Sequence, residues 1–234
     1  METIVKKTIV AIGGGSIKDK TTIAADRYIA ELIKRRAAGG RGCALFLGTA
    51  SHDSMPYFNS FRKTYTSIFD IKAEVGLLVY GENDFENIKA KFDKADCVYV
   101  GGGDTKFMLD VWKQKGIDAL IKDAYERGVI LCGLSAGAVC WFDTAYTDYN
   151  IMRGESSEYK LLPALGYLRG VACPHYDERP EFDSVARNFS PAYAIGNDSF
   201  VVFEDGEPIK YEGNARRLTD EGCCTKGKKR SSQR

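Results

Sequence analysis

The chain has 234 residues, 44% of them hydrophobic, and its 33 basic and 32 acidic side chains leave a net charge of +1. That length and composition can bury a large core in one domain. So even a charge balance excludes a general attraction for nucleic acid or an anionic membrane, and a small neutral partner suits it better.

Short apolar, β-branched runs alternate with helix-period segments from the N-terminus to about Tyr125. This is the pattern of a mostly parallel central sheet with helices on both faces, an α/β fold. In chain order the predicted strands are Thr8 to Ile12, Ala44 to Leu47, Val75 to Tyr80, Cys97 to Val100 and Val129 to Cys132, all running into glycine or small residues. Between them, Ala25, Tyr28, Ile29, Leu32 and Ile33 line one helical face. Phe58, Phe61, Tyr65 and Ile68 line a second, and Ile117, Leu120, Ile121, Ala124 and Tyr125 a third. These stripes are read as core.

After Ala145 the pattern changes to a polar segment, then LLPALGYLRGVACPHYDERPEFD and YAIGNDSFVVFEDGEPIKYEG. The last stretch reads as a late antiparallel extension with a turn at Glu204-Asp205-Gly206. Residues 1–218 are expected to form one domain. Residues 219–234 carry +3 without apolar periodicity and are expected to be a disordered basic tail.

The seven cysteines are an odd number, most of them inside apolar runs, which points to a reducing cytoplasm. After Lys6 and Lys7 only four apolar residues precede the first glycines, too few for a signal-peptide core, and no run approaches the roughly 18 apolar residues of a membrane span. Two histidines and no CxxC pair argue against a structural zinc site, and no cofactor is implied.

The stretch LCGLSAGAVC, residues 131–140, carries the chemistry. Gly133-Leu134-Ser135-Ala136-Gly137 satisfies the G-x-S-x-G pattern, with a strand before it and a helix start after it. Such a turn exposes a serine hydroxyl on strained backbone and aims the next amide, that of Ala136, at a developing oxyanion. The other reading is a small-residue packing turn with an idle serine.

A serine nucleophile needs a base, and the chain offers His52 and His175. His52, in GTASHDSMPYF, sits where a cap or exposed loop is expected. His175 closes an apolar strand late in the chain and is preferred. The acid that orients it has several applicants, Asp177, Asp183, Asp198 and Glu204. Val98-Tyr99-Val100-Gly101-Gly102-Gly103-Asp104-Thr105 lacks the residues of a P-loop, but Gly102 or Gly103 could donate a second oxyanion amide. Gly13-Gly14-Gly15-Ser16 lacks an acidic ribose partner and is read as structural.

Taken in order, IVAIGGGSI, DCVYVGGGDTKFML, GVILCGLSAGAV, PHYDERPEF and AIGNDSF resemble the peptidase E family of aspartyl dipeptidases and cyanophycinases over roughly Ile4 to Leu218. The resemblance implies a fold like that of class I glutamine amidotransferase domains and a Ser-His-acid triad. Ser135 and His175 match its motifs, and the acid falls in IGNDS, where Asp198 is the match and a one-residue shift would leave Asn197. It also implies oxyanion donors at Gly102 or Gly103 and Ala136, and a substrate-pocket Thr-Asp pair at Thr147-Asp148. Arg153, Arg169 and Arg179 are further candidates to meet a substrate carboxylate.

The expected activity is that of a serine exopeptidase on short peptides, with amino-terminal aspartate as a candidate preference. A cyanophycinase-like hydrolase of β-aspartyl linkages and a non-catalytic binding domain of the same fold are the alternatives. The resemblance is compatible with a homodimer.

Overall fold

The computed structural model describes residues 5–80 and 84–218, so the predicted basic tail lies outside the described residues. The first part alternates as predicted: β1 (Thr8–Ile12), α1 (Ile23–Arg36), β2 (Cys43–Leu47), α2 (Met55–Ser67), β3 (Lys72–Gly76), α3 (Phe85–Lys94), β4 (Cys97–Val100), α4 (Thr105–Lys115), α5 (Ile117–Glu126), β5 (Ile130–Leu134) and a short α6 (Ala136–Val139). The remainder is strand-rich: β6 (Phe142–Thr147), α7 (Tyr149–Met152), β7 (Lys160–Pro163), β8 (Leu168–Cys173), α8 (Phe182–Ala186), β9 (Ala192–Ile195), β10 (Phe200–Glu204), β11 (Glu207–Glu212) and β12 (Ala215–Leu218).

Among the described residues β1 to β5 lie parallel in one sheet, which β10 and β11 extend antiparallel, in the order β11-β10-β1-β5-β4-β2-β3. Alternate residues of the buried strands face opposite layers. Val10, Phe46, Tyr99 and Cys132 pack with Ile29, Ile33, Phe58 and Phe61 of α1 and α2. Ile9, Leu45, Val98 and Leu131 pack with Ile88, Met108, Trp112 and Ile121 of α3, α4 and α5. Both faces are therefore covered, and the strands read as continuous apolar runs for that reason.

The predicted hairpin turn is present: Glu204 pairs with Glu207 across Asp205 and Gly206, both at positive φ, as a two-residue turn between twisted strands requires. Two expectations are corrected. The third strand is Lys72–Gly76 rather than Val75 to Tyr80, because the amides of Leu78, Val79 and Tyr80 all donate to Asp53 Oδ2, at 2.6, 2.6 and 3.3 Å, and so are taken from any ladder. Ile68 is 44% exposed at the end of α2 and is not core.

A second sheet, β12-β9-β8-β6-β7, was not legible. Its β6, β8 and β9 are parallel, while β7 and β12 pair antiparallel at its two edges. Phe142, Ala145, Ala172 and Tyr193 join the same core as α4 and α5, so this sheet packs on one face of the first.

This arrangement brings three loops together. β5 lies between β1 and β4, so the loops after β1, β4 and β5 are neighbours at the carboxyl edge of the sheet, where ligands of α/β folds bind. The second sheet supplies the remainder: β8 runs into His175, and β9 into Asn197.

Candidate active site

Ser135 stands between β5 and α6 at φ 55° and ψ −111°, a conformation that a non-glycine residue adopts only when its surroundings impose it. The flanking glycines make the turn sterically possible. A Cβ on Gly133 would lie 2.2 Å from the Gly137 carbonyl oxygen, and one on Gly137 2.2 Å from that of Val100. The Ser135 amide donates to the Ile12 carbonyl at 2.9 Å, which ties the elbow to β1. Its carbonyl accepts from Ala138 and Val139, so α6 starts at Ala136, whose own amide precedes the first intrahelical bond.

His175 comes from the second sheet. It too has positive φ, 50°, and its amide donates to the Gly13 carbonyl at 3.0 Å. The ring then spans the gap: Nε2 is 2.8 Å from Ser135 Oγ and Nδ1 is 2.6 Å from Asn197 Oδ1. Gly14 lies directly beneath, where a Cβ would fall 2.2 Å from Asn197 Oδ1 and 2.4 Å from His175 Nδ1. The first glycine triplet, read from sequence as structural, is thus the floor on which the histidine and its partner meet.

The partner of His175 is Asn197, and the expectation for Asp198 is corrected. Asp198 is exposed, has φ 57°, and accepts a hydrogen bond from the Thr21 hydroxyl on the far side of the turn. The orientation of the Asn197 amide follows from its other end: Nδ2 donates to Glu178 Oε1 at 2.6 Å, which leaves Oδ1 for the imidazole. Because Oδ1 only accepts, Nδ1 must carry the ring proton, and Nε2 is left as the acceptor for the serine hydroxyl. Asp177 anchors the loop by accepting from the Asn197 amide at 2.6 Å and from the Asn214 side chain.

The other applicants are occupied elsewhere. Asp183 accepts from the Tyr176 hydroxyl, and Glu204 pairs with Lys6. His52 is exposed and rests on the Phe107 ring, 4.1 Å between centroids. Burial pushes the Cys132 and Cys140 thiols well up, so neither competes as a nucleophile.

A cleft of about 420 Å³ opens over Ser135, lined among others by Gly15, Lys18, Tyr57, Gly102, Gly103 and His175. The expected second oxyanion arm lies here, since a Cβ on Gly102 would be 3.3 Å from Ser135 Cβ. The Gly102 amide, however, donates to the Tyr57 hydroxyl at 3.3 Å. Sequence reasoning did not single out Tyr57, which precedes the apolar stripe of α2 and has no motif around it.

Thr147 and Asp148 are not among the residues lining this cleft. Thr147 is buried and its hydroxyl meets that of Thr105 at 3.0 Å. Asp148 Oδ2 accepts from Arg179 Nη2 at 2.8 Å, and Arg179 is itself buried. Arg153 pairs with Asp104 at 2.6 Å, and Arg169 is exposed on β8. The two paired arginines fasten the segment after β6 to its neighbours, and a substrate carboxylate would have to displace an aspartate to reach either.

The sequence model of peptidase family S51 matches residues 4–219. An uncharacterized peptidase of Bacillus subtilis (strain 168), YgaJ, is 33% identical over 187 residues, which are 78% of this chain and 76% of that one. Peptidase E of Salmonella typhi is 35% identical over 69 residues, 30% of either chain. The crystal structure of a peptidase from an acI-B1 Actinobacterium shares the fold, with a TM-score of 0.65 at 17% identity over 91% of this chain and 94% of its own. The chain belongs to peptidase family S51, and it is a serine-type peptidase of the peptidase E group.

Proposed function

We propose that this family S51 member hydrolyses short peptides by an acyl-enzyme route, with Ser135 as nucleophile, His175 as general base and Asn197 as the group that orients the imidazole. The observation that carries this reading is the 2.8 Å contact between His175 Nε2 and Ser135 Oγ, made while Nδ1 is held by an acceptor. The hydroxyl proton passes to Nε2 as Oγ attacks the scissile carbonyl, and the carbonyl π electrons move to the oxygen. When the tetrahedral intermediate collapses, Nε2 returns the proton to the departing amine. Water repeats the sequence on the ester and frees the acid.

A neutral amide stands where an acid was expected. It fixes the tautomer and ring orientation without a full charge beside the imidazolium. The Glu178 carboxylate behind it polarises the amide and leaves Oδ1 more negative, so charge is supplied at one remove. Ala136 and the Gly102 edge face the position of the developing oxyanion.

A cleft of about 420 Å³ suits a short substrate. Lys18 at its rim suits a substrate carboxylate, in keeping with a dipeptide that begins with aspartate. The test is hydrolysis of dipeptides with Asp, Glu, Ala or Leu at the amino end, in α and β linkages, by the protein and by Ser135→Ala, together with labelling by a fluorophosphonate. Cleavage led by α-linked Asp-X and abolished in the variant is the expected result. Preference for the β linkage would move the assignment to a cyanophycinase-like hydrolase, and no cleavage and no label at Ser135 would refute it.

A further inference from the structure

Tyr57 contributes a hydroxyl to the cleft that the reaction as described leaves unused. Its ring is fixed: it meets Phe46 edge-on, with centroids 5.1 Å apart, and it covers Gly101 so closely that a Cβ there would lie 2.9 Å from Tyr57 Cε1. Its backbone is fixed as well, because it lies in the first turn of α2 and its amide donates to the Ser54 cap. A side chain held at both ends places its hydroxyl in one position, and that position is against Gly102, beside Ser135.

In this structure the Gly102 amide donates to Tyr57 Oη at 3.3 Å. The oxygen therefore accepts, and its own proton remains to be given. Among the described residues no group takes that proton, and the cleft into which it can turn is the one over Ser135. A hydroxyl that accepts from an amide is a better donor, because successive hydrogen bonds polarise one another.

We propose that Tyr57 is a catalytic residue of this peptidase, its hydroxyl donating to the tetrahedral oxyanion while Gly102 holds that hydroxyl in place. The oxyanion then has the Ala136 amide on one side and the Tyr57 hydroxyl on the other. No proton is transferred in this contact. The serine proton goes to His175 Nε2, the new bond is between Ser135 Oγ and the substrate carbon, and the phenol keeps its hydrogen throughout. Burial, the main influence on the phenol, pushes its pKa up to about 12, so the donor keeps its proton across the neutral range.

The inference rests on the hydrolase reading above, and Tyr57→Phe separates the two because it deletes one oxygen and leaves the ring packing intact. Removal of an oxyanion donor typically lowers kcat by about 10²–10³-fold. The expected result is a loss of that order in kcat with KM within about threefold, and an equal loss of affinity for a peptide aldehyde whose hemiacetal with Ser135 mimics the intermediate. Thermal melting should be unchanged. A kcat within about twofold of the parent, or a kcat loss with unaltered aldehyde affinity, overturns the assignment of Tyr57 while leaving the hydrolase intact. If the parent protein turns over no peptide and is not labelled at Ser135, the hydrolase reading and the role of Tyr57 fall together.

Discussion

Asn197 Oδ1 lies 2.6 Å from His175 Nδ1, and the neighbouring Asp198 points away to Thr21. An amide oxygen can only accept, so this one contact decides which ring nitrogen faces the serine. Asn197→Ala removes that decision and frees the ring to flip or to change tautomer. A loss of about 10²–10⁴-fold in kcat is expected, with little change in KM. Steady-state kinetics on the best dipeptide would check it.

Restoring an acid has a different outcome. Asn197→Asp alone would set a second carboxylate against Glu178, where the amide now donates at 2.6 Å. Two such groups cannot both ionise cheaply, and one pKa should rise strongly. The single variant is expected to lose activity toward high pH. Adding Glu178→Gln supplies a donor to the new carboxylate and should recover activity. It should also shift the acid limb of the kcat/KM profile upward, because an anion beside His175 favours the imidazolium. A pH profile of the single and double variants that showed no such recovery would contradict the chain Ser135, His175, Asn197, Glu178.

The elbow makes a stability prediction. With a Cβ on Gly133 or Gly137 only 2.2 Å from a backbone oxygen, neither Ala variant can relax by a side-chain rotation. Gly133→Ala is expected to cost about 3 kcal/mol or more, seen as a lower urea midpoint or loss of soluble protein. Ser135→Ala keeps the Cβ and the backbone geometry, and its stability should lie within about 0.5 kcal/mol of the parent value.

Asp26 gives a pH dependence that can be isolated. It is fully buried in α1, accepts from the Thr22 and Tyr65 hydroxyls, and burial, the dominant cause, pushes its carboxyl up to about 6. An unfolded aspartate titrates near 3.9. Between these values the folded chain holds a proton that the unfolded chain has released, so this group's contribution to stability falls as pH rises from about 4 to about 6 and is flat above. The full effect is roughly 3 kcal/mol. Asp26→Asn should therefore gain on the parent protein across that window and melt higher at pH 7. A parent-minus-variant stability difference that did not change between pH 4 and 7 would refute this.

Much of the frame was legible because it is written locally. The strands β1, β2, β4 and β5 are apolar runs closed by small residues, and the elbow is a five-residue motif between a strand and a helix. The hairpin turn at Asp205-Gly206 is local chemistry too. The second sheet was not legible, since β6 and β8 are parallel neighbours separated by β7, and such pairing leaves no trace in the spacing of either segment. The misplaced third strand has the same origin: Val79 and Tyr80 suit a strand by composition, but Asp53, remote in sequence, claims their amides.

The sequence by itself singled out Ser135 and His175 as the candidate nucleophile and base. Ser135 is named by the glycines that its turn demands, and His175 by the scarcity of histidine in the chain and the strand it closes. Only the tertiary structure decided which side chain meets His175 Nδ1. Asn197 and Asp198 are adjacent at a sharp turn, and a change to positive φ at Asp198 sends its side chain away from the imidazole while Asn197 faces it. It likewise brought the glycines after β1 beneath His175 and Asn197 and the Tyr57 hydroxyl against Gly102 in the cleft. Each of these depends on where the carboxyl ends of non-consecutive strands meet, which the order of residues along the chain does not record.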